Sequence, residues 1–551
     1  MKATAAILAL ALTTTAALPL AAQDAPAQLP VPAAPKPKPK LIVVVSVDQF
    51  SADLFDEYRA TFDDGLARLA KGAVFPSGFQ SHAATETCPG HSTITTGYRP
   101  AQTGIIANNW IDQAAPRQDK TVYCAEDETI PGTDSSNYTV SDKHLKVPTL
   151  GERMKIADPR TRVVSVAGKD RAAVMMGGHN VDQLWWWSGK AFVSYAGRAA
   201  PAVVTRANAA VAGLIARAQP ALPVAAHCLA KDKAISIGAG KSVGTGHFDR
   251  AAGDAKGFRA SPAFDSAVFA LAAGLVQDMK LGQGPQTDII TVGASATDYI
   301  GHTYGTDGAE MCLQIAELDR NLGGFLDVLD ATGVDYEIAL TADHGGNDLP
   351  EREITVGMPE AQRAELALAP AVMGKAIGDQ LGITGPTLFG DIPNGDVWVS
   401  TALTPAQRKA VLAEAVARYK ALPQVHSVLT AAQIAATPMP SGAPENWSIP
   451  QKARASFDAS RSGDLLVFLK PRVTPIPDPT RGYVATHGSP WNYDRRVPIL
   501  FWRAGMAGFD HAAGIETVDI APTLAHTIGL SLPGVDGRCL DLTRAGAPCA
   551  R

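Results

Sequence analysis

LIVVVSVD, residues 41–48, is a run of six apolar side chains and one serine that closes on an acid. A continuous β-branched stretch of this kind fits a strand buried on both faces of a parallel sheet, and not the alternating pattern of a half-exposed strand. The pattern recurs. RVVSVAG (162–168) runs into Lys169, Asp170 and Arg171, DIITVGASATD (288–298) closes on Asp298, and YEIALTADHGG (336–346) carries Asp343 and His344. Helix-forming stretches lie between, among them AVFALAAGLVQDMK (267–280) and AEMCLQIAELDRNLGGFLDVLDA (309–331). The second has apolar residues three and four apart. Strands alternating with helices, with polar residues at successive strand ends, predict a doubly wound, mostly parallel α/β sheet flanked by helices. Its site should lie at the carboxyl edge.

The rest of the chain is placed around that core. Residues 41–347 and 482–551 read as the core, resuming with RVPILFWRAG (496–505). Residues 348–481 are richer in Pro turns and short strands, with a helix at 404–422, and are expected to form a small α+β cap insertion. Ahead of the core, Lys2 precedes an apolar stretch from Ala3 to Ala22 that ends in small residues. Residues 1–22 therefore read as a secretory signal peptide. Residues 23–40 form a linker with six prolines between Asp24 and Lys40, which favours an extended spacer. No later segment reaches the roughly 18 uncharged apolar residues of a membrane span, so no stable membrane anchor is expected after cleavage. A net charge of −5 without a long basic block argues against a nucleic-acid partner. The six cysteines (88, 124, 228, 312, 539, 549) carry no CxxC or finger spacing, so a thiolate zinc site is not expected. Export permits disulfides; Cys539 and Cys549 are close enough in sequence to clip the C-terminus, and free buried thiols remain the alternative.

Four motifs carry the chemistry. TETCPGHSTITTGYRPAQTGIIANNW (85–110) sets Thr87 before Cys-Pro-Gly-His and places Asn108 beyond a glycine-containing loop. DYIGHTYG holds Asp298 and His302, ADHGG holds Asp343 and His344, and ATHGSPWNYDRR holds His487. Asp48 completes the set. Singly, each has a structural explanation, since a strand-end Asp commonly caps the next helix. Together they supply three Asp and three His at the ends of separate core elements, plus a Thr hydroxyl. Carboxylate and imidazole suit a pair of zinc ions, and two metals about 4 Å apart can hold both oxygens of an in-line phosphoryl displacement. His91 reads as a support for the Thr87 loop, His179 as a satisfied structural histidine and His526 as a packing residue.

These motifs, in this order, resemble the alkaline phosphatase superfamily over Leu41 to about Leu540. The likeness is to its exported threonine-nucleophile branch of PafA-type, phosphate-insensitive alkaline phosphatases, related to the nucleotide pyrophosphatase/phosphodiesterases. The resemblance implies Thr87 as the nucleophile. It implies two Zn²⁺ ions, one held by Asp298, His302 and His487 and the other by Asp48, Asp343 and His344, with Thr87 as a further ligand. Asn108 is implied as a donor to a phosphoryl oxygen. A formylglycine sulfatase is excluded, because Cys88 sits one place late and position 91 is His, not Arg. The Lys169-x-Arg171 pair resembles that of the monoesterases. A monoester dianion carries a charged oxygen where a diester has a second substituent, so cations aimed there favour monoesters. Both side chains reach the site if strand geometry persists past Gly168. GGHNVDQLWWWSGKAF (177–192) is aromatic-rich and suits either the leaving-group side or the core. The expected activity is hydrolysis of small-molecule phosphate monoesters through a phosphothreonine intermediate in the periplasm or outside the cell. A phosphodiesterase with the same metals is the alternative, and a complete ligand set argues against an inactive binding protein. Oligomeric state is left open.

Overall fold

A computed structural model describes residues 37–390 and 394–549, and in it the strand Leu41–Val47 (β1) is buried along its whole length. The described fold is that of the unit Lys38–Arg551. The expected signal peptide and most of the expected linker lie outside the described residues. Alternation along β1 explains its composition. Leu41, Val43, Val45 and Val47 enter one core cluster with Leu271, Ile315 and Leu322, whereas Ile42 and Val44 enter another with Ile94, Ala172 and Ile520. Both faces are covered, so every position must be apolar or small. Burying each valine or isoleucine here contributes about 1.5–3 kcal/mol relative to exposure.

The central sheet comprises β1, β2 (Ala73–Phe79), β3 (Val163–Ala167), β4 (Gln183–Trp187), β5 (Phe192–Val193), β6 (Asp288–Ala294), β7 (Tyr336–Thr341), β8 (Arg496–Arg503), β9 (Phe509–Asp510) and β10 (Ile515–Glu516). Their order is β9-β2-β8-β7-β1-β6-β3-β4-β5, with β10 also pairing β2. Strands β7, β1, β6, β3 and β4 are mutually parallel, and β8 joins antiparallel to β7. The register brings Ser46 beside Thr341, Val47 beside Ala294 and Gly293 beside Ala167. Four carboxyl ends therefore finish level, where a doubly wound sheet places its ligand site. The flanking helices include α1 (Thr87–Thr96), α2 (Asp170–Gly177), α3 (Pro262–Asp278), α4 (Ala296–Tyr304) and α5 (Ala309–Ala331).

Four details depart from the sequence reading. β3 ends at Ala167, so Lys169 is the N-cap of α2 and Arg171 lies in its first turn, not on a continuing strand. β6 ends at Ala294, which puts Asp298 in the first turn of α4. Strand β2 was not signalled, because Pro76 and Gly78 interrupt its pattern. The β2–β8 register shifts between Val497 and Ile499, opposite Pro76 and Ser77, and such an irregularity tolerates a proline that cannot donate to the ladder. The tryptophan run is β4, with Trp185 and Trp187 in one core cluster and Trp186 in the other, so it packs the core. His526 is exposed and does not pack.

A second sheet lies within residues 348–481. Its order is Leu388–Phe389, Gly395–Val399, Leu465–Leu469, Val425–Thr430, and it carries a core of its own around Ile377, Val397, Val411, Tyr419 and Val467. The helix Pro405–Ala421 starts on a Thr404/Gln407 capping box. All six cysteines pair, as Cys88–Cys124, Cys228–Cys312 and Cys539–Cys549. The first two close separations of 36 and 84 residues, each removing about 3–5 kcal/mol of unfolded-chain entropy in the loop-closure description.

Candidate active site

Thr87 opens α1, whose first-turn Gly90 lies so close to the Asp343 carbonyl that a Cβ there would overlap it. That approach seats the helix start directly on the end of β7. The Cys88 N–H donates to Asn108 Oδ1 at 2.8 Å, which fixes the amide and leaves Nδ2 as its donor side. The Asn108 N–H in turn donates to Glu86 Oε2 at 2.6 Å. Glu86 was not singled out from sequence, since an acid before a helix has an ordinary capping explanation. Thr87 Oγ1 stands 3.4 Å from Lys169 Nζ and 3.3 Å from Arg171 Nη2. Both cations thus reach the hydroxyl, though by helix-cap geometry.

Six further side chains converge beside it. Asp298 Oδ1 lies 3.3 Å from His302 Nε2 and 3.4 Å from His487 Nε2. His344 Nε2 lies 3.3 Å from Asp343 Oδ2 and 3.5 Å from Asp48 Oδ1. His344 and His487 stack at 3.6 Å between ring centroids. Two groups of ligand atoms are close enough to hold ions: Asp48, Asp343 and His344, and Asp298, His344 and His487. His344 thus lies between the two groups, where sequence assigned it to one. His302 meets the second through Asp298.

The donor chemistry fits divalent cations. Nδ1 of His302, His344 and His487 contacts the carbonyl of Ala485, Gly345 and Thr85 at 2.8, 2.7 and 2.8 Å. A carbonyl can only accept, so these contacts assign the proton to Nδ1 and turn each Nε2 lone pair inward. Burial lowers His344 to about 3, keeping that ring neutral. Asp48 Oδ1, Asp298 Oδ1 and His344 Nε2 are buried without a hydrogen-bond partner among the described residues. Unpaired acceptors at one point cost about 1–3 kcal/mol each, and a cation satisfies them together. Lys169 serves the other oxygen of each carboxylate, with Nζ 2.7 Å from Asp48 Oδ2 and 2.5 Å from Asp298 Oδ2, and leaves those three atoms unmet. Burial opposes its charge, but the two carboxylates outweigh burial and hold it above its ordinary pKa. His91 Nδ1 contacts the Thr87 carbonyl at 2.9 Å and Asp343 Oδ2 at 3.1 Å, tying α1 to the cluster. His179 contacts Glu152 Oε1 and the Leu145 carbonyl.

Adding a divalent metal to chelator-treated protein is expected to stabilise the fold by about 2.7 kcal/mol at a free concentration a hundred times Kd, and so to raise its thermal midpoint. Asp48→Asn with Asp298→Asn should lose most of that rise. A midpoint indifferent to metal, followed by scanning calorimetry, would count against a metal site.

A cleft of about 280 Å³ opens onto this constellation, lined by Asn108, Arg171, Asp298, His302 and His487 on the core side and by Asp396, Trp398 and Phe468 on the side of the second sheet. A family model described as type I phosphodiesterase/nucleotide pyrophosphatase matches residues 42–490. The chain belongs to that family. It is 57% identical over 508 residues to alkaline phosphatase PhoK of Sphingomonas sp., covering 91% of each chain. It is 48% identical over 510 residues to alkaline phosphatase PhoD of Zymomonas mobilis, covering 91% of this chain and 88% of that one. The crystal structure of alkaline phosphatase PafA superposes with a TM-score of 0.79 at 23% identity, over 92% of this chain and 98% of that one, and shows the shared fold. The expected superfamily and fold class are both met, and the chain is an enzyme of the phosphate-ester hydrolase kind.

Proposed function

We propose that the protein is an exported zinc-dependent alkaline phosphatase that hydrolyses phosphate monoesters through a phosphothreonine intermediate. The observation that carries this reading is the single hydroxyl of Thr87, within 3.4 Å of Lys169 Nζ and 3.3 Å of Arg171 Nη2 and beside two buried Asp/His groups. Asp298, His302 and His487 would hold one zinc ion, and Asp48, Asp343 and His344 with Thr87 the other. Bound there, zinc supplies the Lewis-acid charge that makes a hydroxyl nucleophilic and an alkoxide a tolerable leaving group at alkaline pH.

The chain's own residues do the rest. Thr87 Oγ attacks phosphorus in line, the bond to the leaving alcohol breaks, and the phosphoryl group is left on threonine. Water then attacks the phosphothreonine, releasing inorganic phosphate and restoring the hydroxyl. Asn108 Nδ2, Lys169 and Arg171 donate to the non-bridging oxygens throughout, from positions fixed before substrate arrives. Three disulfides support an oxidising compartment such as the periplasm. Among the described residues no helix is long and apolar enough to cross a membrane.

The test is kcat/KM for p-nitrophenyl phosphate against bis-p-nitrophenyl phosphate on zinc-loaded protein. A monoester preference of about 100-fold or more is expected, equivalent to about 2.7 kcal/mol of differential transition-state binding. A diester preference would move the protein to phosphodiesterase chemistry at the same residues.

A further inference from the structure

Asp170, between the two cations, is buried, and both of its carboxylate oxygens are taken by phenols. Tyr123 Oη donates to Oδ1 at 2.7 Å and Tyr138 Oη donates to Oδ2 at 2.7 Å. Oδ1 also accepts the backbone N–H of Arg171 at 2.7 Å. The guanidinium makes a long contact to the same phenol, Nη1 to Tyr123 Oη at 3.5 Å, while Nη2 faces Thr87 Oγ1. Arg171 Nε is buried without a hydrogen-bond partner among the described residues. Tyr123 is therefore joined to both ends of Arg171, to its backbone through Asp170 and to its head directly. The Tyr123 and Tyr138 rings tilt against one another at 4.6 Å.

Tyr123 is itself well anchored. It ends the strand Thr121–Tyr123, which pairs antiparallel with Asn109–Ile111 and sets Asn109 opposite Tyr123. The next residue, Cys124, donates its N–H to the Asn108 carbonyl at 2.9 Å and is disulfide-bonded to Cys88, the neighbour of Thr87. This hairpin thus carries Asn108 at its start and Tyr123 at its end, and a disulfide ties it to the nucleophile helix. A long arginine side chain loses orientation unless its fork is held, and two of its nitrogens here meet fixed oxygens.

We propose that Tyr123 is a positioning residue that holds Arg171 on the third charged oxygen of a phosphate monoester, and so sets the preference for monoesters over diesters. This rests on the role given to Arg171 above. Burial and the Asp170 carboxylate push the Tyr123 phenol well above its ordinary pKa, so it remains a donor in alkaline solution.

The test is Tyr123→Phe in the full-length, zinc-loaded protein, alone and combined with Arg171→Ala. Loss of a hydrogen bond to a charged group is expected to lower kcat/KM for p-nitrophenyl phosphate about 10-fold. Turnover of bis-p-nitrophenyl phosphate should change less than about twofold, and the inhibition constant of inorganic phosphate should rise with the monoester loss. In the Arg171→Ala background the same substitution should cost less than about twofold, because the group it positions is gone. Tyr138→Phe removes the other phenol from Asp170 and should give a smaller loss with the same selectivity. Equal losses on both substrates, or a full loss persisting without Arg171, overturn the proposal and make Tyr123 a fold residue. If Arg171→Ala leaves the monoester-to-diester ratio unchanged, the role of Arg171 falls first and this proposal falls with it.

Discussion

Thr87→Val is expected to lower kcat/KM for p-nitrophenyl phosphate on the order of 10⁴-fold or more, while Thr87→Ser should remain within about 100-fold of wild type. Valine keeps the β-branched shape of a residue that is fully buried at the start of α1, so the helix and its contact to Asp343 are preserved. Only the nucleophilic oxygen is lost. What survives is the machinery for stabilising charge, namely Asn108 held by Cys88 and Glu86, and Lys169 and Arg171 aimed at the same point. Such machinery alone commonly retains measurable catalysis over water, so residual activity in Thr87→Val is compatible with the mechanism. The decisive measurement is mass spectrometry of acid-quenched enzyme. Wild type and the serine variant should carry one phosphoryl group on residue 87, and the valine variant none. A valine variant within tenfold of wild type would pass the nucleophile's role to water.

Much of this was legible in sequence, and the reason is physical. A strand covered on both faces has no freedom to alternate, so LIVVVSV and DIITVGA declare themselves, and the acids that follow them are left at the carboxyl edge. The metal-type ligands were found because Asp and His clustered at strand ends have few explanations once several occur together. Antiparallel β2 was hidden because Pro76 and Gly78 break its pattern and are accommodated by a register shift that only the partner strand reveals. Residues that act through others were hidden more deeply. Glu86, Tyr123 and Asp170 were given no role in the sequence reading, and theirs follow from pairings 22 and 47 residues apart, whereas His91, read there as a support for the Thr87 loop, does meet the Thr87 carbonyl. Lys169 and Arg171 were selected for their charge, but the alternation argument was the wrong geometry. Their approach to Thr87 comes from an N-cap and the first helical turn.

The second large effect is expected where those two cations are removed. Arg171→Ala with Lys169→Ala should reduce the monoester-to-diester ratio of kcat/KM by about 100-fold, or about 2.7 kcal/mol. The two contribute differently. Arg171 is turned toward Thr87 by Tyr123 and Asp170 and, among the described residues, hydrogen-bonds to no member of the candidate metal groups except Thr87, so Arg171→Ala should act on selectivity almost alone. Lys169 also bridges Asp48 and Asp298, one carboxylate from each group. Its loss leaves two buried acids without their organic cation, and both substrates need the site those acids build. Lys169→Ala should therefore lower diester turnover as well, and part of that loss should be recovered by raising the metal concentration, whereas the Arg171→Ala defect should not respond to metal. Parallel losses on p-nitrophenyl phosphate and bis-p-nitrophenyl phosphate in the Arg171 variant, at saturating metal, would remove the physical basis for monoester preference. Recovery of the Arg171 defect by metal would instead place the guanidinium among the groups that hold the ions.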